Sequence, residues 1–352
     1  MRALYRILDV NLNRAREGLR VAEEVARFAA GDAELAGLLK DLRHRLGALE
    51  GAFGGRWRLA EARDVGSDIG AATREEAPHR DAFALAAANL KRAEEACRVL
   101  EEAAKTVSPE AASAAKALRF AVYDAERRFF GRVKALARRE RLAEARLYLV
   151  AGTRDVRGRD LARVVRAAAA GGVNIFQLRE KEGATRDILR LAGEMRAVTA
   201  ELGLLFIVND RVDIAAAVGA DGVHLGQEDL PIGAARRIMG WDGIIGVSTH
   251  SLEQALRAEA EGADYIGVGP VYPTPTKPDY RAVGLGLVRE VAGRLKIPFF
   301  AIGGITENNL REVLAAGARA VAVVGAITAA PDVAAAARAL SAGIRDFGVK
   351  TS

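Results

Sequence analysis

A single cysteine, Cys97, excludes an intramolecular disulfide and suits a reducing compartment. No run of about 18 uncharged apolar residues occurs, and the opening MRALYRILDVNLNRAR lacks an apolar core of signal-peptide length. Neither a membrane helix nor a secretory leader is therefore expected, and a cytoplasmic location is. Aromatic residues make up only 5% and are not interleaved with the basic ones, which argues against a nucleic-acid surface despite a net charge of +6. Most of that excess falls in the first 142 residues, with 27 Lys and Arg against 22 Asp and Glu. Interleaved acids dilute it, so the run Arg138-Arg139-Glu140-Arg141 reads as a solvated helical surface.

What is present is apolar residue in quantity, half of 352, enough for more than one core. Two patterns of organisation divide the chain. Residues 1–142 have helical periodicity throughout, rich in Ala, Leu, Arg and Glu, with no strand signal. Within them Asn11-Leu12-x-Arg14-Ala15-x-Glu17-x-x-Arg20-Val21-x-Glu23-Glu24 returns 78 residues later as Asn89-Leu90-x-Arg92-Ala93-x-Glu95-x-x-Arg98-Val99-x-Glu101-Glu102. Leu42-Arg43 is echoed by Leu118-Arg119 in the helix that follows each copy. The repeating unit is thus a helical hairpin, and two hairpins make a four-helix bundle. The repeated Arg and Glu residues are expected to pair across a pseudo-twofold axis inside it. A ligand site built from Arg14, Arg92, Asp64 and Asp68 is the competing reading.

Residues 143–352 alternate short apolar runs with amphipathic helices. Eight strands are predicted: Leu147–Val150, Val173–Leu178, Leu204–Val208, Gly222–Leu225, Ile244–Val247, Tyr265–Val268, Phe299–Ile302 and Ala320–Val324. This grammar and length suit an α/β fold of the (β/α)8 TIM-barrel type, here preceded by the all-α bundle. A doubly wound open sheet would call for a Gly-rich turn after the first strand, and Ala151-Gly152-Thr153-Arg154-Asp155 lacks that fingerprint.

In a barrel the loops after the strands converge on one face, which holds the site. Alternation sends Gln177, Arg179 and Lys181 to one side at the end of the second strand, with Leu178 and Glu180 opposite. Asn209-Asp210 ends the third strand, Asp229 follows the fourth and Ser248 closes the fifth. After the sixth comes a proline-stiffened loop carrying Thr274, Thr276 and Lys277. Glycines after strands seven and eight, Gly303-Gly304 and Gly325, with a helix start behind them, form a phosphate cradle. Arg179, Lys181 and Lys277 supply a second anion site across the mouth. Asp210 and Asp229 offer hard oxygen ligands for one Mg²⁺ that keeps several waters and shares phosphate oxygens. Two anion sites and a metal describe a reaction between two phosphorylated small molecules, one with a diphosphate leaving group. His224 and His250 read as packed or loop-bonded residues rather than acid–base groups.

The motifs QLREK, VND, HLGQED, GVSTH, GVGPVYPTPTK and IGGIT, in this order and spacing, resemble the thiamine-phosphate synthase family over about residues 145 to 340. The helical half resembles an N-terminal extension carried by some bacterial members. The resemblance implies a transferase that joins hydroxymethylpyrimidine diphosphate to thiazole phosphate, giving thiamine phosphate and diphosphate. It assigns the pyrimidine and its diphosphate to Gln177, Arg179, Lys181, Asn209 and Lys277, Mg²⁺ to Asp210 and Asp229, and the reacting pyrimidine region to Ser248. Thiazole phosphate falls to Thr274 and Thr276 with the backbone at Gly304, Gly325 and Ile327. One departure is Gly325, where the family often has serine. Two other readings are a thiazole tautomerase-like paralogue and a non-catalytic regulator that binds thiamine intermediates. Neither requires the intact diphosphate machinery. No nucleic-acid or membrane partner is expected, and a homo-oligomer is left open.

Overall fold

The computed structural model describes residues 1–63, 78–274 and 281–350. Among them no helix is long and apolar enough to cross a membrane. The chain divides into two compact units, Met1–Lys134 and Ala135–Ser352.

The first unit contains α1 (Arg2–Phe28), α2 (Ala33–Ala52), the short α3 (Gly55–Glu61), α4 (Ala82–Ala104) and most of α5 (Pro109–Glu144). Leu8, Leu12, Leu19, Leu39, Leu42, Leu46, Leu90, Leu100 and Val122 are fully buried on the inner faces of these helices. The sequence change at residue 142 and the division of the units at 134–135 both fall within the bounds of α5. The two repeated segments lie on α1 and α4, which pack closely: a Cβ on Gly18 would sit 2.4 Å from the Asn89 carbonyl oxygen. Asn11 and Asn89 make the same bond in each copy, donating to the carbonyl four residues back at 2.8 and 2.9 Å.

Among the described residues, the repeated acids Glu23 and Glu101 and the repeated arginines Arg20 and Arg98 pair within their own hairpins rather than across the axis between the copies. Glu23 binds Arg43 at 2.7 Å and Glu101 binds Arg119 at 2.7 Å, each within its own hairpin. Arg20 and Arg98 turn to acids one helical turn on, Glu24 at 2.8 Å and Glu102 at 2.9 Å. Reach accounts for these pairs: the i+4 acid is one turn along the same helix and the arginine is on the helix that follows, so both lie close by within the hairpin. Arg14 and Arg92 are exposed, and the Asp64 and Asp68 of the competing ligand reading lie outside the described residues.

A carboxyl pair on α4 and α5 has a consequence for stability. Glu94 Oε1 is buried with no hydrogen-bond donor among the described residues. Beside it the Glu126 carboxyl is pushed up to about 7, first by burial and then by the Glu94 carboxylate. A proton held in the folded state and lost in the unfolded one stabilises below the folded pKa. Raising the pH from about 5 through about 7 should therefore weaken the bundle, and Glu126→Gln should flatten that dependence. Thermal melts followed by helical circular dichroism across this range check it.

The second unit is a closed parallel barrel in sequential order: β1 (Leu147–Ala151), β2 (Ile175–Leu178), β3 (Leu205–Asn209), β4 (Gly222–Leu225), β5 (Ile244–Thr249), β6 (Tyr265–Val268), β7 (Phe299–Ile302) and β8 (Val321–Val323). Period-two alternation sorts its side chains into two cores. Phe176, Phe206, Ile245, Ile266 and Val321 join the helices outside, while Tyr148, Val150, Ile175, Ile207, Ile244, Tyr265 and Phe300 fill the interior.

At the strand-start end, two aspartates repeat one device. Asp221, before β4, accepts from the Phe206 N–H at 2.9 Å, from Arg196 at 3.1 Å and from Arg138 at 3.0 Å. Asp264, before β6, accepts from the Ile245 N–H at 2.8 Å, from Arg236 at 2.6 Å and from Arg139 at 2.8 Å. Arg138 and Arg139, expected as solvated surface, are thus anchors of the barrel floor, and Arg141 donates to the Gly203 carbonyl at 2.7 Å. Their partners lie far along the chain, so the local charge pattern could not show them.

Candidate active site

The strand-end face opens into a cavity of about 280 Å³. Its walls include the apolar side chains of Val150, Phe300, Ile302 and Val324, and polar groups stand both at the strand ends and, from Tyr148 and Tyr265, deeper within. Such a volume is comparable with the smaller small-molecule sites.

Five of the side-chain residues anticipated from sequence line this cavity: Gln177, Arg179, Asn209, Ser248 and Thr274. Gly304 and Gly325 line it as well. Alternation at the end of β2 is as expected: Gln177 is buried inward and Leu178 packs outward on the helices. Glu180 turns away to bind the loop after β1, at the Thr153 N–H and at the Thr153 hydroxyl. That loop comes so close that a Cβ on Gly152 would sit 2.3 Å from the Arg179 carbonyl oxygen, which fixes the backbone carrying Arg179.

Lys181 lies beside the cavity and binds Asp210 Oδ2 at 2.5 Å. Asp210 has φ +59°, a left-handed conformation that costs a non-glycine residue energy, and its N–H donates to the His224 carbonyl at 2.8 Å. Burial pushes the Asp210 carboxyl up, the Lys181 ammonium pulls it down, and the Asp229 carboxylate facing it pushes it up again. Asp229 is held in its turn by the Gly226 N–H, 2.6 Å from Oδ2. Two facing carboxylates, one of them paired with the Lys181 ammonium, make an anionic pocket suited to a hard cation. Among the described residues no group of three or more His, Cys, Asp or Glu gathers for a metal, so such a cation would draw its other ligands from water and substrate.

On the opposite rim Gly303 and Gly304 take φ +101° and +64°. Both are pressed against the loop after β6: a Cβ on Gly303 would meet Pro270 at 2.5 Å, and one on Gly304 would meet Tyr272 at 2.7 Å. Gly325 opens the short helix Gly325–Thr328, and a Cβ there would meet nothing within 4 Å. Ile327 is not brought to the cavity. Its side chain is fully buried among the outer-core residues and its N–H is spent on the Val324 carbonyl at 3.1 Å, so this amide is not offered to a ligand. Thr276 and Lys277 lie outside the described residues.

Sequence reasoning passed over Tyr148 and Tyr265, which form the buried back wall, and over the role of His224 between Tyr265 and Ser248. A signal existed: a tyrosine at an inward position of an otherwise aliphatic strand needs a partner for its hydroxyl. His250 binds the Gly269 carbonyl, in keeping with a loop-bonded role.

Comparison with known proteins agrees with the geometry. The profile of the family described as thiamine monophosphate synthase matches residues 147–327, and that of the ThiD2 family matches residues 6–128. The chain is 48% identical over 331 residues to a thiamine-phosphate synthase of Gloeobacter violaceus, covering 94% of this chain and 93% of that one. It is 46% identical over 330 residues to that of a Synechocystis species, covering 92% of each. Among solved structures, a thiamine phosphate pyrophosphorylase from Pyrococcus furiosus aligns with a TM-score of 0.54 at 42% identity, covering 59% of this chain and 98% of that chain.

Proposed function

Because the chain belongs to the thiamine monophosphate synthase family, we propose that its barrel cavity seats both rings of the family's condensation and that its rim stabilises the departing diphosphate. The reaction joins a hydroxymethylpyrimidine diphosphate to a thiazole phosphate, giving thiamine phosphate and diphosphate. The C–O bond between the pyrimidine methylene and the diphosphate breaks, and its electron pair leaves with the diphosphate. The amino group on the ring stabilises the methylene cation, and the thiazole nitrogen closes the new C–N bond.

The observation that carries this reading is the rim itself. Arg179 lines the chamber and the Lys181–Asp210–Asp229 group begins next to Asn209, which lines it too, so cationic and metal-binding groups would face the leaving group as its negative charge grows. No side-chain nucleophile is required. Gln177, Asn209 and Ser248 hold the pyrimidine, and Arg179 and Lys181, with Lys277, hold its diphosphate. Asp210 and Asp229 would hold Mg²⁺, which when bound neutralises phosphate charge. Thr274 and the backbone at Gly304 and Gly325, with Thr276, seat the thiazole phosphate.

Purified protein given both substrates and Mg²⁺ should form thiamine phosphate, detectable as fluorescent thiochrome after oxidation, with one diphosphate per turnover. Absence of product while both substrates bind would overturn the reading. In the same assay Arg179→Ala should lower kcat about a hundredfold, the scale for one lost donor to a developing anion (~3 kcal/mol). A KM change alone would mean that Arg179 only tethers substrate.

Gly325 supplies a gain-of-contact test. Its open surroundings admit a side chain. Gly325→Ser should therefore lower KM for thiazole phosphate roughly tenfold, the effect of one hydrogen bond to a charged group. An unaltered KM would show that the phosphate does not sit at this helix start.

A further inference from the structure

Five side chains that line the cavity are joined in one hydrogen-bonded chain. Gln177 Nε2 donates to the Tyr148 hydroxyl at 2.7 Å, and the Tyr148 and Tyr265 hydroxyls are 2.8 Å apart. The Tyr265 hydroxyl is 3.0 Å from His224 Nδ1, and His224 Nε2 is 2.9 Å from Ser248 Oγ. Gln177, Tyr148, Tyr265 and His224 are buried. Room for the middle of the chain comes from Gly246, where a Cβ would collide with the Tyr265 ring at 2.1 Å.

The interior members have one proton each to give: a tyrosine hydroxyl has one hydrogen, and a neutral imidazole has one N–H. Since buried polar groups are hydrogen-bonded, each of these protons is taken to find its acceptor within the chain, and on that footing the direction of any one link fixes all the others. With Gln177 donating, Tyr148 must donate to Tyr265, and Tyr265 to His224 Nδ1. His224 then carries its proton on Nε2 and donates to Ser248 Oγ. Ser248 is left with its own proton to offer to the cavity, and Gln177 with its carbonyl oxygen.

We propose that this chain sets the donor–acceptor polarity of the ring subsite, Gln177 Oε1 accepting from an amino group and the Ser248 hydroxyl donating to a ring nitrogen, with Tyr148, Tyr265 and His224 as positioning residues. The ligand class is an aminopyrimidine rather than its oxo counterpart, whose C=O and ring N–H reverse both bonds. This rests on the reading of the cavity given above. Tyr265 and Tyr148 need touch no reacting atom to matter. Their hydroxyls decide which tautomer His224 adopts, and so which group Ser248 presents.

The first test uses no substrate. In the full-length chain with ¹⁵N-labelled histidine, the His224 signals, assigned by their loss in His224→Gln, should report an Nε2–H tautomer with an unprotonated Nδ1. Any other protonation pattern overturns the proposal. The second test compares affinity for the free aminopyrimidine alcohol with that for its oxo analogue. The wild type should prefer the amino compound about a hundredfold or more, since a reversed ligand leaves buried polar groups unpaired. Tyr265→Phe should cut that preference to about tenfold or less while keeping its affinity for thiazole phosphate. Tyr148→Phe makes the same comparison should Tyr265→Phe not fold. Undiminished preference in a folded variant overturns the proposal. Because the tautomer is read without substrate, failure of the synthase reading and failure of the chain's polarity give different results.

Discussion

Withdrawal of divalent cations with EDTA should stop thiamine phosphate formation, by on the order of a thousandfold or more, and excess Mg²⁺ should restore it. The expectation follows from charge. A diphosphate ester brings about three negative charges, by ordinary phosphate ionisation, to a rim where Asp210 and Asp229 already face each other. Lys181 is committed to Asp210 at 2.5 Å. Without a cation these carboxylates oppose the leaving group instead of helping it. Asp229→Asn should accordingly raise the Mg²⁺ concentration for half-maximal rate by about tenfold, because it removes one charged ligand and leaves the fold's Gly226 N–H an acceptor. Full activity in EDTA would sink this account and leave the carboxylates as simple partners of Lys181.

Asp221→Ala should destabilise the barrel by about 3–5 kcal/mol, the cost of breaking a buried ion pair from one side. Asp221 is 4% exposed and is the common acceptor for two arginines and a strand N–H. Its removal leaves Arg138 and Arg196 facing each other with the Phe206 N–H unpaired. The cost exceeds that of a surface pair, which is typically about 0–1 kcal/mol. Urea denaturation followed by Trp241 fluorescence in a Trp57→Phe background measures it, since Trp241 lies next to Asp242, another Arg138 partner. A loss below about 1 kcal/mol would mean that the floor relaxes around the vacancy. Loss of activity without loss of stability is not expected, because this cluster is at the strand-start end.

Much of the architecture was legible because period-two alternation and helical spacing are local. Eight apolar runs between amphipathic stretches gave eight strands, though the second begins at Ile175 rather than Val173. The inward placing of Gln177 and Arg179 followed from the same alternation. What was not legible depends on distance along the chain. Arg138 and Arg139 find their aspartates 83 and 125 residues away, and an arginine run carries no mark of that. The repeated acids of the bundle showed duplication correctly but not its pairing, because an equivalent residue in the other copy and a neighbour in the same hairpin are equally consistent with the repeat. The family resemblance implies a phosphate contact from the Ile327 backbone, whereas the tight turn at Val324 takes its N–H. Tyr148 and Tyr265 hid in plain apolar strands, since a tyrosine reads as core until the second hydroxyl is located.

Gly246 also restricts the order in which this barrel can change. Any side chain at 246 would occupy the space of the Tyr265 ring, so residues 246 and 265 can change only in concert. A lineage could enlarge 246 only after 265 had already shrunk, and the intermediate would hold a void in the barrel interior with His224 deprived of its hydroxyl neighbour. That intermediate is disfavoured in stability, so the two positions are coupled by the order of steps and not only by the final fit.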